Sequence, residues 1–378
     1  MDDSLKDIIG TISWELFPFF VSLILGIMLT PLFRFIALKG NILDKPENGK
    51  IHKKPVSYLG GLAFYFSFLI TVLIFRRSFE FTDGQWLQLT GIILGSTFIV
   101  ILGLEDDVRP LNAYEKLSGQ IIASLILCFF GFRIQNLTNP AGGAFSLDIF
   151  SIPLTVLWVI LIINAVNLVD GLDGLAGGII ILSSLTLLSI ASYNKNIFIV
   201  FLLTSFIGGL LGFLRFNFHP ASIFMGDTGS MFLGFFIASV TMIGNWKKAA
   251  AATLLVPIIA IGVPLFDTLI AFIRRGLKGQ HPFKGDTSHI HHRLLKLGLS
   301  HKQVVLLLYA ITLLFGATAF LLVMIENHFA IIVLFILASS IFLGIETLQF
   351  VEKKFTLMQN KENEAKIVDI SRRDVIGD

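Results

Sequence analysis

The stretch Ser151-Ile152-Pro153-Leu154-Thr155-Val156-Leu157-Trp158-Val159-Ile160-Leu161-Ile162-Ile163-Asn164-Ala165-Val166-Asn167-Leu168-Val169-Asp170-Gly171-Leu172-Asp173-Gly174 decides the fold. Residues 151–168 carry no charge. A helix crossing the bilayer core needs about 17–25 such residues. The run then ends in carboxylates and glycines, as a span does where it leaves the membrane.

The rest of the chain repeats this pattern. Hydrophobic residues make up 54% of 378, charged residues 15%, and the mean hydropathy is +0.81. A soluble globular chain carries about 25% charged residues, and one this apolar would expose too much greasy surface to water. Its solvent is therefore lipid, where every backbone amide must be paired within the protein. Strictly alternating segments of about 10 residues would mark a β-barrel, and the sequence has none. The expected fold is an all-α polytopic membrane protein with about 11 transmembrane helices. The expected spans are 17–38, 59–75, 86–104, 117–132, 151–168, 175–191, 196–214, 229–243, 249–273, 302–323 and 329–350. Residues 1–350 form one transmembrane domain, followed by a polar cytoplasmic tail, 351–378, with some helix. No cleavable signal peptide is expected: Asp2, Asp3 and Asp7 precede a first apolar run of full span length. The single cysteine, Cys128, falls inside a span and reads as a small core hydrophobe.

An odd number of spans puts the termini on opposite sides. With the N-terminus outside, the loops after odd-numbered spans and the tail hold 21 of the 29 Lys and Arg residues. The other side holds seven: Lys6, Arg76, Arg77, Arg133, Lys195, Lys247 and Lys248. Basic residues stay cytoplasmic, so the C-terminus is expected in the cytoplasm. Residues 133–150 flank the turn Asn139-Pro140-Ala141-Gly142-Gly143 and predict a small external β-hairpin.

The unusual polar residues all map to the cytoplasmic ends of spans. Glu105-Asp106-Asp107 follows span 3. Alone it could be a solvated charge run; beside a second acidic cluster it suits Mg²⁺, or Mn²⁺, held by oxygen ligands. Asn164, Asn167, Asp170 and Asp173 recur every three to four residues and share a face if the segment stays helical. The glycines at 171–178 predict that the helix loosens there, with Asp173 open to a reading as N-cap of the next helix. Asn217 and the run Phe224-Met225-Gly226-Asp227-Thr228-Gly229 place a carboxylate at the start of span 8, either as an N-cap or as part of a metal–phosphate assembly. His289-Ile290-His291-His292-Arg293 lies among Arg274, Arg275, Lys278, His281 and Lys284. No cysteine accompanies these histidines, and the nearby cations favour contact with phosphate or sugar oxygens over Zn²⁺. Carboxylates and cations on one membrane face suit phosphoryl transfer between a soluble donor and a membrane lipid, with no nucleic acid involved. A transporter or lipid flippase is the competing class, but it would place polar sites near mid-membrane and show internal repeats, and neither is found.

As an ordered set, these motifs resemble the polyprenyl-phosphate N-acetylhexosamine-1-phosphate transferases, members of the glycosyltransferase family 4 type. The matching pieces are Asp106-Asp107, the Asn-x-x-Asn-x-x-Asp-Gly-x-Asp-Gly run at 164–174, residues 217–229, the histidine loop, and Ile51-His52-Lys53-Lys54-Pro55-Val56-Ser57-Tyr58-Leu59-Gly60-Gly61. The resemblance implies Mg²⁺ on Asp227 with Asn167 as second ligand, Phe224 stacked on uracil and Asp173 at the uracil edge. It implies Lys116 on the diphosphate, and Asp106 and Asp107, with Asp170 in the same acidic set, handling the lipid phosphate or the metal. The histidines would read the sugar. The His-Ile-His-His form and the basic tail resemble the bacterial branch that uses UDP-GlcNAc and undecaprenyl phosphate. UDP-MurNAc-pentapeptide, handled by a related branch with three consecutive histidines, is the alternative donor. The resemblance also implies a multi-pass protein of the bacterial inner (plasma) membrane, a product that starts O-antigen, common antigen or teichoic acid synthesis, and a homodimer.

Overall fold

The computed structural model describes residues 3–44, 55–138, 144–244, 254–277, 279, 289–325 and 327–376. Thirteen helices are seen among them: α1 (Asp3–Lys39), α2 (Gly60–Phe75), α3 (Asp83–Val108), α4 (Ala113–Phe129), α5 (Ser151–Val169), α6 (Leu175–Tyr193), α7 (Ile197–Asn217), α8 (Gly226–Ile243), α9 (Leu255–Ala260), α10 (Gly262–Leu277), α11 (Ile290–Lys296), α12 (His301–Met324) and α13 (Asn327–Ile376). Eight of these are long and apolar enough to cross a membrane, in α1, α3, α5, α6, α7, α8, α12 and α13. The chain is a polytopic, all-helical, multi-pass membrane protein.

The count of eleven full spans is not reproduced. The expected second and fourth spans are short helices, α2 of 16 residues and α4 of 17. The expected ninth span, 249–273, divides into α9 and α10, and its first residues lie outside the described ones. The break has a covalent cause. Pro264 has no N–H to donate to the carbonyl of Ala260 four residues back, and the next bond, from the Leu265 N–H to the Ile261 carbonyl, is stretched to 3.4 Å. The eleventh span runs on without a break, since α13 continues through the expected tail to Ile376.

A hairpin is present where one was expected, β3 (Asn136–Thr138) paired antiparallel with β4 (Ala144–Ser146); its turn, 139–143, lies outside the described residues. An unexpected pair, β1 (Leu43–Asp44) with β2 (Val56–Ser57), closes the loop between α1 and α2. Ile51 to Lys54, Lys278, His281 and Lys284 lie outside the described residues.

α7 and α8 form the centre, with α1 and α2 packed on α7 and with α3 and α5 flanking α8. Small residues permit the tightest contact. Gly26 of α1 faces Gly209 of α7, and Gly208 of α7 faces the Phe19 carbonyl; a Cβ at either glycine would collide with backbone. Successive helices alternate in direction. The C-termini of α3, α5 and α7 therefore share one end of the bundle with the N-termini of α2, α4, α6, α8 and α12, and this end gathers the polar residues.

Candidate active site

The first turn of α8 is the reference point. Its leading N–H groups have no partner within the helix, and the residue before it, Met225, offers no side-chain cap. Asp107, near the end of α3, supplies one from a neighbouring helix. Its Oδ1 accepts the Asp227 N–H at 2.7 Å, and its Oδ2 accepts the Thr228 N–H at 3.0 Å and the Thr228 hydroxyl at 2.6 Å. The partial positive charge at the helix start adds to this attraction. Gly226 has φ +67°, and any side chain there would strike the Asp107 carboxylate. The preceding loop is pinned through its backbone. Phe224 donates to the Ser57 carbonyl, while Gly60 and Gly61 donate to the carbonyls of Phe224 and Met225. Phe224 is thereby half-buried beside Tyr58, ring centroids 6.4 Å apart. Tyr58 in turn bonds Asp44, and burial raises its phenol above the ordinary range.

Asp227 is held on both oxygens. Lys116 Nζ, from the first turn of α4, lies 2.7 Å from Asp227 Oδ2 and 2.5 Å from Asp106 Oδ2. Asn167 Nδ2, from the last turn of α5, donates to Asp227 Oδ1 at 2.5 Å and to Ser230 Oγ at 2.8 Å. A carboxylate only accepts, so the Asn167 amide nitrogen must face it. Asp106 also accepts the Leu111 N–H at 2.7 Å, which folds the short loop between α3 and α4. Asp170 caps the end of α5, and among the described residues its carboxyl has no hydrogen-bond partner. Burial, reinforced by the charges of Asp227, Asp107 and Asp173, pushes that carboxyl up to about 8. Among the described residues, Asp106, Asp107 and Asp170 thus gather about Asp227, and one ammonium, Lys116, bridges Asp106 and Asp227. An all-oxygen donor set with surplus negative charge fits a hard divalent cation. Asp227 and Asp170 are carboxylates that could hold it, and among the described residues the Asn167 carbonyl oxygen is also uncommitted.

One helical turn deeper, Asn164 does not reach this cluster. Its Nδ2 donates to Gln120 Oε1 at 2.7 Å and to the Ile160 carbonyl at 2.8 Å, and Gln120 donates back toward Asn164 and toward Met231 Sδ. Asn217, 4% exposed, is likewise committed to protein: its Oδ1 accepts the Gly174 N–H and its Nδ2 donates to the Ile223 carbonyl. Both asparagines act on the site by holding backbone and helices in place.

The segment after α5 does not stay helical. Residues 170–174 form a turn, and Gly174, at φ +77°, starts α6 in place of Asp173. Asp173 Oδ2 instead accepts the Ala221 N–H at 3.0 Å and sits 2.8 Å from His219 Nδ1. His301 Nε2 lies 3.2 Å from the Asp173 carbonyl, and the rings of His219 and His301 stack with centroids 4.2 Å apart at 24°. One ligand atom from each of Asp173, His219 and His301 falls within 4.8 Å of the others. A metal lies in the plane of each imidazole that binds it, and two near-parallel stacked planes do not meet between the rings. The group therefore reads as a hydrogen-bonded clamp on Asp173.

The histidine loop covers the other side of the same turn. His289 Nδ1 and the Ile290 N–H both bond Asp267 of α10, each at 2.9 Å. His291 is buried against Gly171, where any side chain would collide with the ring. Both of its nitrogens lack partners among the described residues, and burial holds it down to about 4, so it is neutral at pH 7. His292 packs on it at 4.2 Å. Arg293 forms a two-pronged pair with Glu352 of α13, both bonds 2.7 Å, which ties that helix to the loop.

The structure thus brings together Asp106, Asp107, Lys116, Asn167, Asp170 and Asp227, with Asp173, His289, His291 and His292 around the adjoining turn. Sequence reading missed Asp267, Thr228, Ser230, Gln120, His219, His301 and Tyr309. Asp267 left a visible signal, a carboxylate inside an apolar span; His219 and His301 have no spacing in the sequence that ties them to Asp173.

Residues 89–245 match the family model described as glycosyl transferase family 4. The chain is 38% identical over 338 residues to a probable undecaprenyl-phosphate N-acetylglucosaminyl 1-phosphate transferase of Bacillus subtilis (strain 168), covering 89% of this chain and 93% of that protein. It is 34% identical over 307 residues to the decaprenyl-phosphate N-acetylglucosaminephosphotransferase of Mycolicibacterium smegmatis, covering 73% and 74%. A phospho-N-acetylmuramoyl-pentapeptide-transferase of Clostridium novyi is 32% identical over 332 residues, covering 84% and 98%.

Proposed function

Because the chain belongs to glycosyl transferase family 4, we propose that it transfers N-acetylglucosamine 1-phosphate from UDP-GlcNAc to undecaprenyl phosphate and releases UMP. The observation that carries this reading is the sharing of Lys116 by Asp106 and Asp227 at a helix-end cluster rich in carboxylates. Such a cluster can receive a diphosphate from solution and a phosphate on a lipid from the side. We place it on the cytoplasmic face, as the distribution of basic residues suggests.

A phosphate monoester has its second pKa near 6, so the lipid phosphate is mostly a dianion at pH 7 and needs no strong base. Its oxygen attacks the sugar-bearing phosphorus, a new P–O bond forms, and the bond to the UMP oxygen breaks with its electron pair leaving on UMP. The obstacle is the approach of two anions: unit charges 4 Å apart repel by about 4 kcal/mol at an effective dielectric of about 20. Lys116 offsets part of that repulsion from where it stands. We propose Mg²⁺ as the cofactor, held by Asp227 and Asp170; when bound it supplies charge neutralisation at the diphosphate and the departing UMP. Asp107 acts by fixing the start of α8, and therefore Asp227. Neutral His291 and the Asp267-supported His289 offer ring nitrogens to the sugar end.

The test is UMP release from UDP-GlcNAc by the full chain in lipid vesicles. Release that requires both undecaprenyl phosphate and Mg²⁺ supports the proposal. Transport of substrate with no UMP formed would overturn it in favour of a carrier. Release from UDP-MurNAc-pentapeptide in preference to UDP-GlcNAc would assign the other donor, which one relative's name allows.

A further inference from the structure

We infer that the start of α12 is the mechanical support of the donor-binding turn, with His301 and Tyr309 as positioning residues for Asp170 and Asp173. This rests on the reading of the donor as a uridine nucleotide sugar.

The turn 170–174 needs support from outside. It carries two carboxylates and two glycines, and its own backbone bonds are few: Asp170 to the Asn167 carbonyl, Gly171 to the Val169 carbonyl, and Leu175 to the Leu172 carbonyl. Among the described residues no backbone donor reaches the Asp173 carbonyl, and the Gly174 carbonyl, which accepts the Gly178 N–H at 3.0 Å, has a second lone pair; α12 supplies a donor to each. His301 Nε2 lies 3.2 Å from the Asp173 carbonyl, and the Tyr309 hydroxyl donates to the Gly174 carbonyl at 2.5 Å. Residues 301 and 309 are eight apart, close to two full turns, so they share one face of α12.

The local structure presents both groups. Ser300 and Gln303 close a capping box, so that α12 begins at His301 and in no other register. A carbonyl oxygen only accepts, so His301 carries its proton on Nε2; its Nδ1 is buried without a partner among the described residues. The ring stacks on His219, which bonds the Asp173 carboxylate, so α12 supports both the backbone and the side chain of Asp173. Tyr309 lies over Gly178, where any side chain would displace its ring. Ten residues before His301 in the same segment, His291 rests on Gly171. The loop that meets the sugar and the helix that supports the nucleotide turn are therefore one continuous piece, touching one turn at both ends.

The experiment uses the full chain in vesicles with Tyr309→Phe, His301→Ala and His301→Gln. It measures direct UMP binding, KM for each substrate and kcat. Loss of one hydrogen bond of this kind corresponds to roughly three- to tenfold in affinity. Tyr309→Phe and His301→Ala are expected to raise the UMP dissociation constant and the donor KM together by that factor, leaving the lipid-phosphate KM within about twofold. His301→Gln, which restores a donor to the Asp173 carbonyl, is expected to recover most of the loss. Unchanged UMP binding in Tyr309→Phe, a variant that removes a single oxygen and retains the ring, overturns the proposal. So does an equal rise in both KM values, which would mark a general loosening of the fold. UMP binding is read without turnover. If wild-type protein binds UMP but transfers nothing, the transfer reading fails while the support role is still decided by Tyr309→Phe. A wild-type chain that binds no UMP overturns both.

Discussion

α4, α5 and α8 carry two polar layers one helical turn apart, and the two behave differently. The outer layer holds Lys116, Asn167 and Asp227. The inner layer holds Gln120, Asn164 and Met231. The inner groups are neutral and mutually satisfied, with Gln120 only 1% exposed. Two primary amides can each give and accept, so such a pair closes on itself and serves as interhelical glue. The outer layer cannot close: its carboxylates outnumber the one ammonium that touches them. A buried surplus of charge is costly unless something pairs with it. The inner layer is complete without a ligand and the outer one is not, which separates scaffold from site.

The largest break in that contrast comes from Asp227→Ala. This removes the carboxylate that both Lys116 and Asn167 hold, and with it the centre of the proposed cation site. UMP release is expected to fall to background even at saturating Mg²⁺, while the inner layer and the fold persist. Near-normal turnover would dissociate the outer layer from chemistry altogether. Next is Lys116→Met, which keeps most of the side-chain stem and deletes the charge. Removal of a donor aimed at developing charge costs about 10²–10³ in kcat, and this variant also leaves Asp106 and Asp227 facing each other. A fall of that size in kcat with donor KM moving less is the expected outcome.

Asp107→Asn sharpens the comparison at a smaller scale. Both Asp107 oxygens receive donors from the first turn of α8, and an amide can offer only one oxygen in their place. The other end then presents N–H to N–H. A loss of about 1–3 kcal/mol in stability is expected, seen as a lower melting temperature, with a fall of roughly tenfold in kcat as Asp227 shifts. If Asp107 positions α8 and moves no proton, the acidic limb of the pH–rate profile is unchanged. A lost acidic limb would make it a general base instead.

Much of this was legible in the sequence because membranes enforce a simple length rule, and the apolar runs obey it. What hydropathy could not say was which spans lie inside the protein. The windows in α7 and α13 have the same mean hydropathy, 2.5, yet the first is 89% buried within the protein and the second 0%. The glycines distinguish them: Gly208, Gly209 and Gly212 of α7 touch α1 or α2, whereas Gly344 of α13 faces open space. The split of the ninth span lies at Pro264, a local signal that an apolar count passes over. Asn164 and Asn167 share one helical face in the sequence, and depth relative to the helix end decides their contacts, Asn167 reaching Asp227 and Asn164 pairing with Gln120. Tyr309 and His301 were missed because their partners are backbone carbonyls more than 100 residues away, which no local pattern encodes.

The smallest expected effect tests the inner layer directly. Gln120→Leu alone strands part of the Asn164 amide, which keeps its bond to the Ile160 carbonyl. The cost should be about 1 kcal/mol, in the range measured for interhelical polar pairs in membranes. The double replacement Gln120→Leu with Asn164→Leu removes both partners and leaves an apolar layer, a change that can be nearly neutral when shape is kept. Melting temperature should therefore recover toward wild type in the double variant, and UMP release should stay within about twofold throughout. The sign of that recovery is what matters, because a scaffold pair is replaceable and a substrate contact is not. Should the double variant lose activity while regaining stability, Asn164 would belong to the donor site, and the two layers would have to be treated as one.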